Sequence, residues 1–191
     1  MLRHSRGARK GCIMRRGDRK IKKLKSKDVD ALKMLGRTGH VKSEVLKDYT
    51  GITQNRISTL KNLSYLSEVY DNNSDDRYLR LTKRGRDFVY EQLGVVCYKS
   101  NAPVHDSEIV DYYIRMTKEE QESIRTETEL QQVIREEFED EGLSPTDFSY
   151  VSNDGEVIYV EVITSNYTES QIEEKIEFVN AMGGTYNEIR I

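Results

Sequence analysis

Between Ile52 and Gly85 the chain reads ITQNRISTLKNLSYLSEVYDNNSDDRYLRLTKRG, and this stretch restricts the fold more than any other. Thr53 is a residue that caps helix starts. Ile57, Leu60 and Leu63 follow at three-residue steps, so one edge of a short helix is apolar. Its other edge carries Asn55, Thr59 and Asn62, with Arg56 and Ser58 beside them. Leu66–Tyr70 and Tyr78–Leu81 alternate as strands do, and the turn-forming DNNSDD between them predicts a hairpin. Thr82 then caps a second helix, KRGRDFVYEQLG, whose first turn is basic. Few architectures accept a polar-edged helix, an acidic-tipped hairpin and a basic helix start in such close succession.

The preceding residues extend the pattern. From Lys27 onward Val29, Leu32 and Leu35 mark a helix that Gly36 and Gly39 end. Ser43 is placed to cap SEVLKDYT, in which Val45, Leu46 and Tyr49 share a face, and Thr50-Gly51 makes the next turn. The order, together with the closing phrase RYLRLTKRG, resembles a winged helix-turn-helix domain over residues 27–94. That resemblance implies double-stranded DNA as partner, with Thr53, Asn55, Arg56, Ser58, Thr59, Lys61 and Asn62 on the helix that enters the major groove. Asn and Arg suit this role because they pair bidentately with adenine and guanine. The wing tip is acidic at Asp71, Asp75 and Asp76, so any wing contact with DNA falls to Arg77 and Lys83.

Net charge is -3 and the sequence pI about 5.8, which conceals a strong polarity. Residues 1–100 hold 24 Lys and Arg against 11 Asp and Glu, whereas residues 101–191 hold 6 against 22. The first part therefore suits a polyanion and the second does not. Residues 1–26 have few apolar side chains and a single acid, Asp18, and are expected to be a disordered basic arm. Arg15, Arg16, Arg19 and Lys20 in this arm are candidates for phosphate or minor-groove contacts. Cys12 and Cys97 lack metal-ligand spacing and read as free thiols of a cytoplasmic protein. No apolar run approaches the ~20 residues that span a bilayer, so no membrane partner is expected.

Residues 95–104, VVCYKSNAPV, read as a linker, and residues 105–191 as an acidic second domain. In HDSEIVDYYIRMT, Ile109, Tyr112, Tyr113 and Met116 form an apolar side, with His105 at the helix start. The acidic run KEEQESIRTETELQQVIREEFEDEG places Leu130, Val133, Ile134 and Phe138 at helical spacing. Two strands around SNDG, a helix over 168–182 and a last strand over 186–191 complete an α+β chain of two domains.

SPTDFSYVSNDGEVIYVEV resembles the PD-(D/E)xK nucleases, and the whole of 27–185 resembles the replication-relaxation family of plasmids and other mobile elements. The first resemblance implies an α/β nuclease-like domain, with Asp147 and Glu161 holding Mg²⁺ and Lys175 assisting catalysis. The sequence departs from that pattern twice: Thr146 separates Pro145 from Asp147, and Ile163 stands where the family's lysine is expected. The leading reading is therefore sequence-specific DNA binding in origin or transfer-origin recognition, or in transcriptional control. It requires no cofactor, and the acidic half serves homo-oligomer formation or recruits a protein partner. A Mg²⁺-dependent nicking nuclease and an acidic DNA mimic that inhibits a host enzyme remain as alternatives.

Overall fold

A computed structural model describes residues 23–71, 76–138 and 142–191. The arm candidates Arg15, Arg16, Arg19 and Lys20, and Asp75 of the hairpin tip, lie outside the described residues. Those described form an α+β fold with eight helices and two sheets.

The chain begins with helix α1 (Ser26–Thr38), a two-residue strand β1 (Val41–Lys42), and helices α2 (Ser43–Thr50) and α3 (Gln54–Asn62). The hairpin β2 (Leu66–Asp71) and β3 (Asp76–Leu81) leads into α4 (Lys83–Leu93). These strands make an antiparallel sheet in the order β1-β3-β2, with Val69 opposite Tyr78 and Tyr70 opposite Arg77. Thr53 and Thr82 both act as N-caps, accepting from the backbone N–H of Arg56 and Gly85 respectively. Ser43 does not cap α2: it is the first helical residue, and Lys42 precedes it with an extended backbone. Gly36 likewise does not end α1, which continues to a cap at Gly39. At Gly85 a side chain is sterically barred, because a Cβ there would lie 2.1 Å from the Tyr65 carbonyl oxygen.

Beyond α4, the segment read as a linker is packed. Val95 and Tyr98 are buried, and the Tyr98 N–H donates to Gly36 O at 2.7 Å. Helix α5 (Pro103–Tyr113) follows, with Pro103 in its first turn, where its missing N–H costs nothing. The acidic run does not make one long helix. It divides into α6 (Lys118–Ser123), a short strand β4 (Arg125–Thr126) and α7 (Glu127–Glu137). Thr117 with Glu120, and Thr126 with Glu129, each form a reciprocal capping box that starts a new helix. Strands β5 (Phe148–Val151) and β6 (Val157–Ile163), helix α8 (Glu169–Met182) and strand β7 (Thr185–Arg190) complete the chain. The second sheet has the order β4-β5-β6-β7; β5 and β6 are antiparallel, while β7 runs parallel to β6.

One apolar cluster joins the two parts: Leu32, Leu35, Ile57, Leu60 and Leu79 belong to the same core as Val110, Tyr113, Phe148, Val160 and Val162. Leu130, Ile134, Tyr159, Phe178 and Val179 pack a second cluster between α7, α8 and the sheet. Ion pairs reinforce the junction, with Lys33 2.6 Å from Glu122 and Arg37 2.9 Å from Glu129.

Candidate functional site

Helix α3 buries Ile57 and Leu60, which turns Asn55, Ser58, Thr59 and Asn62 outward, all exposed. The Thr59 hydroxyl donates to the Asn55 carbonyl one turn earlier. Lys61 is held 2.6 Å from Glu68 of the hairpin, and Lys83 2.9 Å from Asp87, its neighbour one turn on. Arg77 is exposed on β3. Asp76 is drawn to Lys42, 2.7 Å away, so part of the acidic tip is neutralised within the sheet.

Arg56 is placed differently from its neighbours. Its Nε donates to Asp28 Oδ1 and its Nη2 to Asp28 Oδ2, both at 2.8 Å, and Nη2 also reaches Lys23 O at 3.2 Å. Asp28 is buried; burial opposes its ionisation, but the Arg56 hydrogen bonds and the Lys25 N–H hold its carboxyl below the ordinary value. The guanidinium fork is thus engaged by α1, and Arg56 fastens the start of α3 to Asp28 and to the Lys23 carbonyl. A cavity of about 490 Å³ lies alongside, lined by Lys25, Lys27, Asn55 and Thr59 among others.

The second cluster lies at the β5–β6 end of the other sheet. Asp147 precedes β5, Glu161 lies within β6 and Lys175 on α8, and all three line one cleft of about 210 Å³ with Glu127, Tyr98 and Tyr167. The structure brings together Asp147, Glu161 and Lys175, the three residues that the nuclease resemblance singles out. Sequence reasoning missed Glu127, Tyr98 and Tyr167, for which only the folded topology is a signal.

Every oxygen of the two carboxylates accepts at least one donor of the protein itself. Asp147 Oδ1 accepts from the Tyr98 hydroxyl at 3.0 Å and Oδ2 from the Val162 N–H at 2.8 Å. Glu161 Oε2 accepts from the Asp147 N–H at 2.9 Å, and Oε1 from the Tyr167 hydroxyl at 2.7 Å, with Lys175 Nζ at 3.2 Å. Lys175 also donates to the Pro145 carbonyl. Burial first, and the Asp147 charge second, push the Glu161 carboxyl up to about 7, against the pull of Lys175 and Tyr167. The same two causes raise Glu127.

A Mg²⁺ ion takes its ligands from oxygens with free lone pairs in a near-octahedral shell. Among the described residues, no group of three or more His, Cys, Asp or Glu side chains is placed to hold a metal. Lys175 and two backbone N–H groups take up part of the acceptor capacity of the acidic pair.

Behind the cleft runs a buried charged chain that ties the two parts together. Asp106 is fully buried, accepting from His40 N at 3.1 Å and Asn101 N at 3.2 Å, with His40 Nδ1 at 2.8 Å and His105 Nδ1 at 3.4 Å. His105 Nε2 lies 3.3 Å from Asp147 Oδ2, close enough for charge pairing but off the line of a hydrogen bond. Burial alone lowers the basicity of His105; the carboxylates of Asp106 and Asp147 overcome it and raise the imidazole to about 10. His105 is therefore an imidazolium at neutral pH that balances Asp147. Gly39 is required beside this chain: its φ is +87°, and a Cβ would lie 2.3 Å from Asp106 Oδ2.

Searches among protein-family models, curated proteins and solved structures found no match to this chain.

Proposed function

We propose that the chain binds double-stranded DNA in the manner of a winged helix, with the exposed edge of α3 in the major groove. The observation that carries this reading is the free polar edge of α3. Asn55, Ser58 and Asn62 are exposed on a helix whose opposite edge is anchored by Ile57 and Leu60. Amide and hydroxyl groups held rigidly on one helical edge are what base-edge recognition needs. The order of helices, the β1-β3-β2 sheet and the adjoining hairpin support the reading, as does the excess of Lys and Arg in residues 1–100. Arg56 serves here by orienting α3 rather than by reading a base, because its fork is engaged by Asp28. The acidic half contributes a second surface for dimerisation or recruitment, suited to origin or transfer-origin recognition, or to transcriptional control, in a mobile element of the replication-relaxation kind.

Fragments selected from random duplex DNA by the purified chain, at stated salt, test this directly. A common sequence should emerge, and Asn55→Ala and Asn62→Ala should each weaken binding to it by about 1–3 kcal/mol. Unchanged affinity in both variants would remove α3 from the interface. Including Mg²⁺ and supercoiled plasmid in a parallel reaction tests nicking. Cleavage lost in Asp147→Ala would replace the binding reading of the acidic half with a catalytic one.

A further inference from the structure

The segment 96–101 lines a groove that neither α3 nor the acidic cleft accounts for. Its middle is a cavity of about 400 Å³ lined by Arg80 of β3, Arg86 of α4, Lys99, Ser100 and Thr128, with no acidic residue in its wall. On one side it adjoins a cavity of about 310 Å³ that shares Arg86 and Cys97 with it and contains Tyr90. On the other side it shares Tyr98, Lys99 and Ser100 with the Asp147–Glu161 cleft. Arg80, Arg86 and Lys99 are all exposed, and none is in an ion pair with a described residue. Arg86 holds only the Leu81 carbonyl, at 3.3 Å. Tyr90 follows Arg86 by one helical turn, so both lie on the same face of α4, and Tyr90 is 62% exposed.

Three cations without an ion pair among the described residues, the Ser100 hydroxyl and an uncovered aromatic ring along one track are the components of single-strand recognition. The cations follow phosphates, and the ring stacks on a base of any identity. The acids at the margins are mostly compensated. Asp87 is paired with Lys83, Asp147 faces His105, and Glu161 faces Lys175. Glu127 lies under the influence of Lys99, whereas Glu91 remains at the Tyr90 end.

We infer that this groove binds a single nucleic-acid strand, with Arg80, Arg86 and Lys99 on its phosphates and Tyr90 stacked on a base. The site is separate from the α3 edge and takes from the reading above only that the partner is nucleic acid. It gives the chain a grip on an unpaired strand next to the duplex.

The test is fluorescence anisotropy of the full chain with a labelled oligothymidylate, alongside a labelled duplex carrying the selected site. Because the basic arm adds cations of its own, the decisive readout is the ratio of variant to wild type. The double variant Arg80→Ala/Arg86→Ala should lose at least tenfold in strand affinity. Its salt dependence should be shallower by about 1.4 in log–log slope, that is ~0.7 for each lost phosphate contact. Tyr90→Ala should lose at least fivefold and Tyr90→Phe should keep wild-type affinity. Duplex affinity should change less than twofold throughout, with unchanged circular dichroism and melting temperature. Two results overturn the inference: strand affinity unchanged in the double variant, or duplex affinity falling in step with it. Strand binding without duplex binding would defeat the α3 reading and leave the groove standing. The reverse pattern would do the opposite.

Discussion

Asp106 is the buried hinge of charge between the two parts, and its replacement has a calculable effect. In Asp106→Ala the N–H groups of His40 and Asn101 lose their acceptor, and His105 loses one of its two carboxylates. Each buried donor left unsatisfied costs roughly 1–3 kcal/mol, and removing one member of a buried charged pair costs about 3–5 kcal/mol. These penalties overlap because they concern one carboxylate, so the expected loss is about 4 kcal/mol out of a typical total of ~5–15 kcal/mol. The chain has no tryptophan, so urea unfolding is best followed by circular dichroism at neutral pH. The pH dependence gives a second check. The imidazole of His105 is raised from 6.5 to about 10, so its share of the stability is complete below pH 6.5 and is lost as pH rises through 10. The Asp106 carboxyl is lowered from 3.8, so its share is present above that value and is lost as pH falls through the lower folded value. The gap between wild type and Asp106→Ala should therefore be widest from about pH 4 to 6.5, between the two ordinary values, and shrink toward pH 10. A loss below about 1 kcal/mol, or a gap that widens with rising pH, would refute the assignment of this network.

Two other changes are predicted. Arg56→Ala leaves the buried Asp28 carboxylate without its fork and should cost about 1–3 kcal/mol of folding stability; Arg56→Lys restores little, because an ammonium is not bidentate. Thermal melts that match wild type in both variants would show that the pair has no structural role. Because the Glu161 carboxyl is raised from 4.5 to about 7, the fold is favoured by its protonated form and loses that favour as pH rises through 7. Glu161→Gln should therefore gain stability relative to wild type between pH 4.5 and 8, whereas parallel unfolding curves over that range would contradict the assigned environment.

The parts of the fold legible in the sequence are those whose cause is local. Thr53 and Thr82 cap the helices they precede, and the Ile57–Leu60 spacing identifies the buried edge of α3, because capping and helical period involve only near neighbours. The division of the acidic run into α6, β4 and α7 had a local signal too, in two Thr-x-x-Glu phrases. The continuous charge around them reads as one solvated helix face unless each box is counted. Residues 95–104 read as a linker because nothing in their own sequence shows that Tyr98 will hydrogen-bond to Gly36 on one side and Asp147 on the other. Such pairings are tertiary and leave no periodic trace.

Charged residues expose the deepest limit of a wheel or a motif. Arg56 and Ser58 both stand beside the outward edge of α3, yet Arg56 turns to an aspartate 28 positions earlier and Ser58 remains exposed. Asp147 and Glu161 stand at positions where a family resemblance implies metal ligands, and they do meet. What decides their chemistry is the third party: Lys175, Tyr167, Tyr98 and His105 reach them from four other places in the chain. A carboxylate is a metal ligand only where its lone pairs are free, and that freedom is a property of the folded surroundings. The same logic runs the other way at the groove. Arg80, Arg86 and Lys99 belong to no recognisable motif, and they become a candidate site because the fold brings them to one cavity without an ion-pair partner among the described residues. In a chain whose two parts carry opposite charge, a cluster of exposed cations at the junction is where an external anion fits.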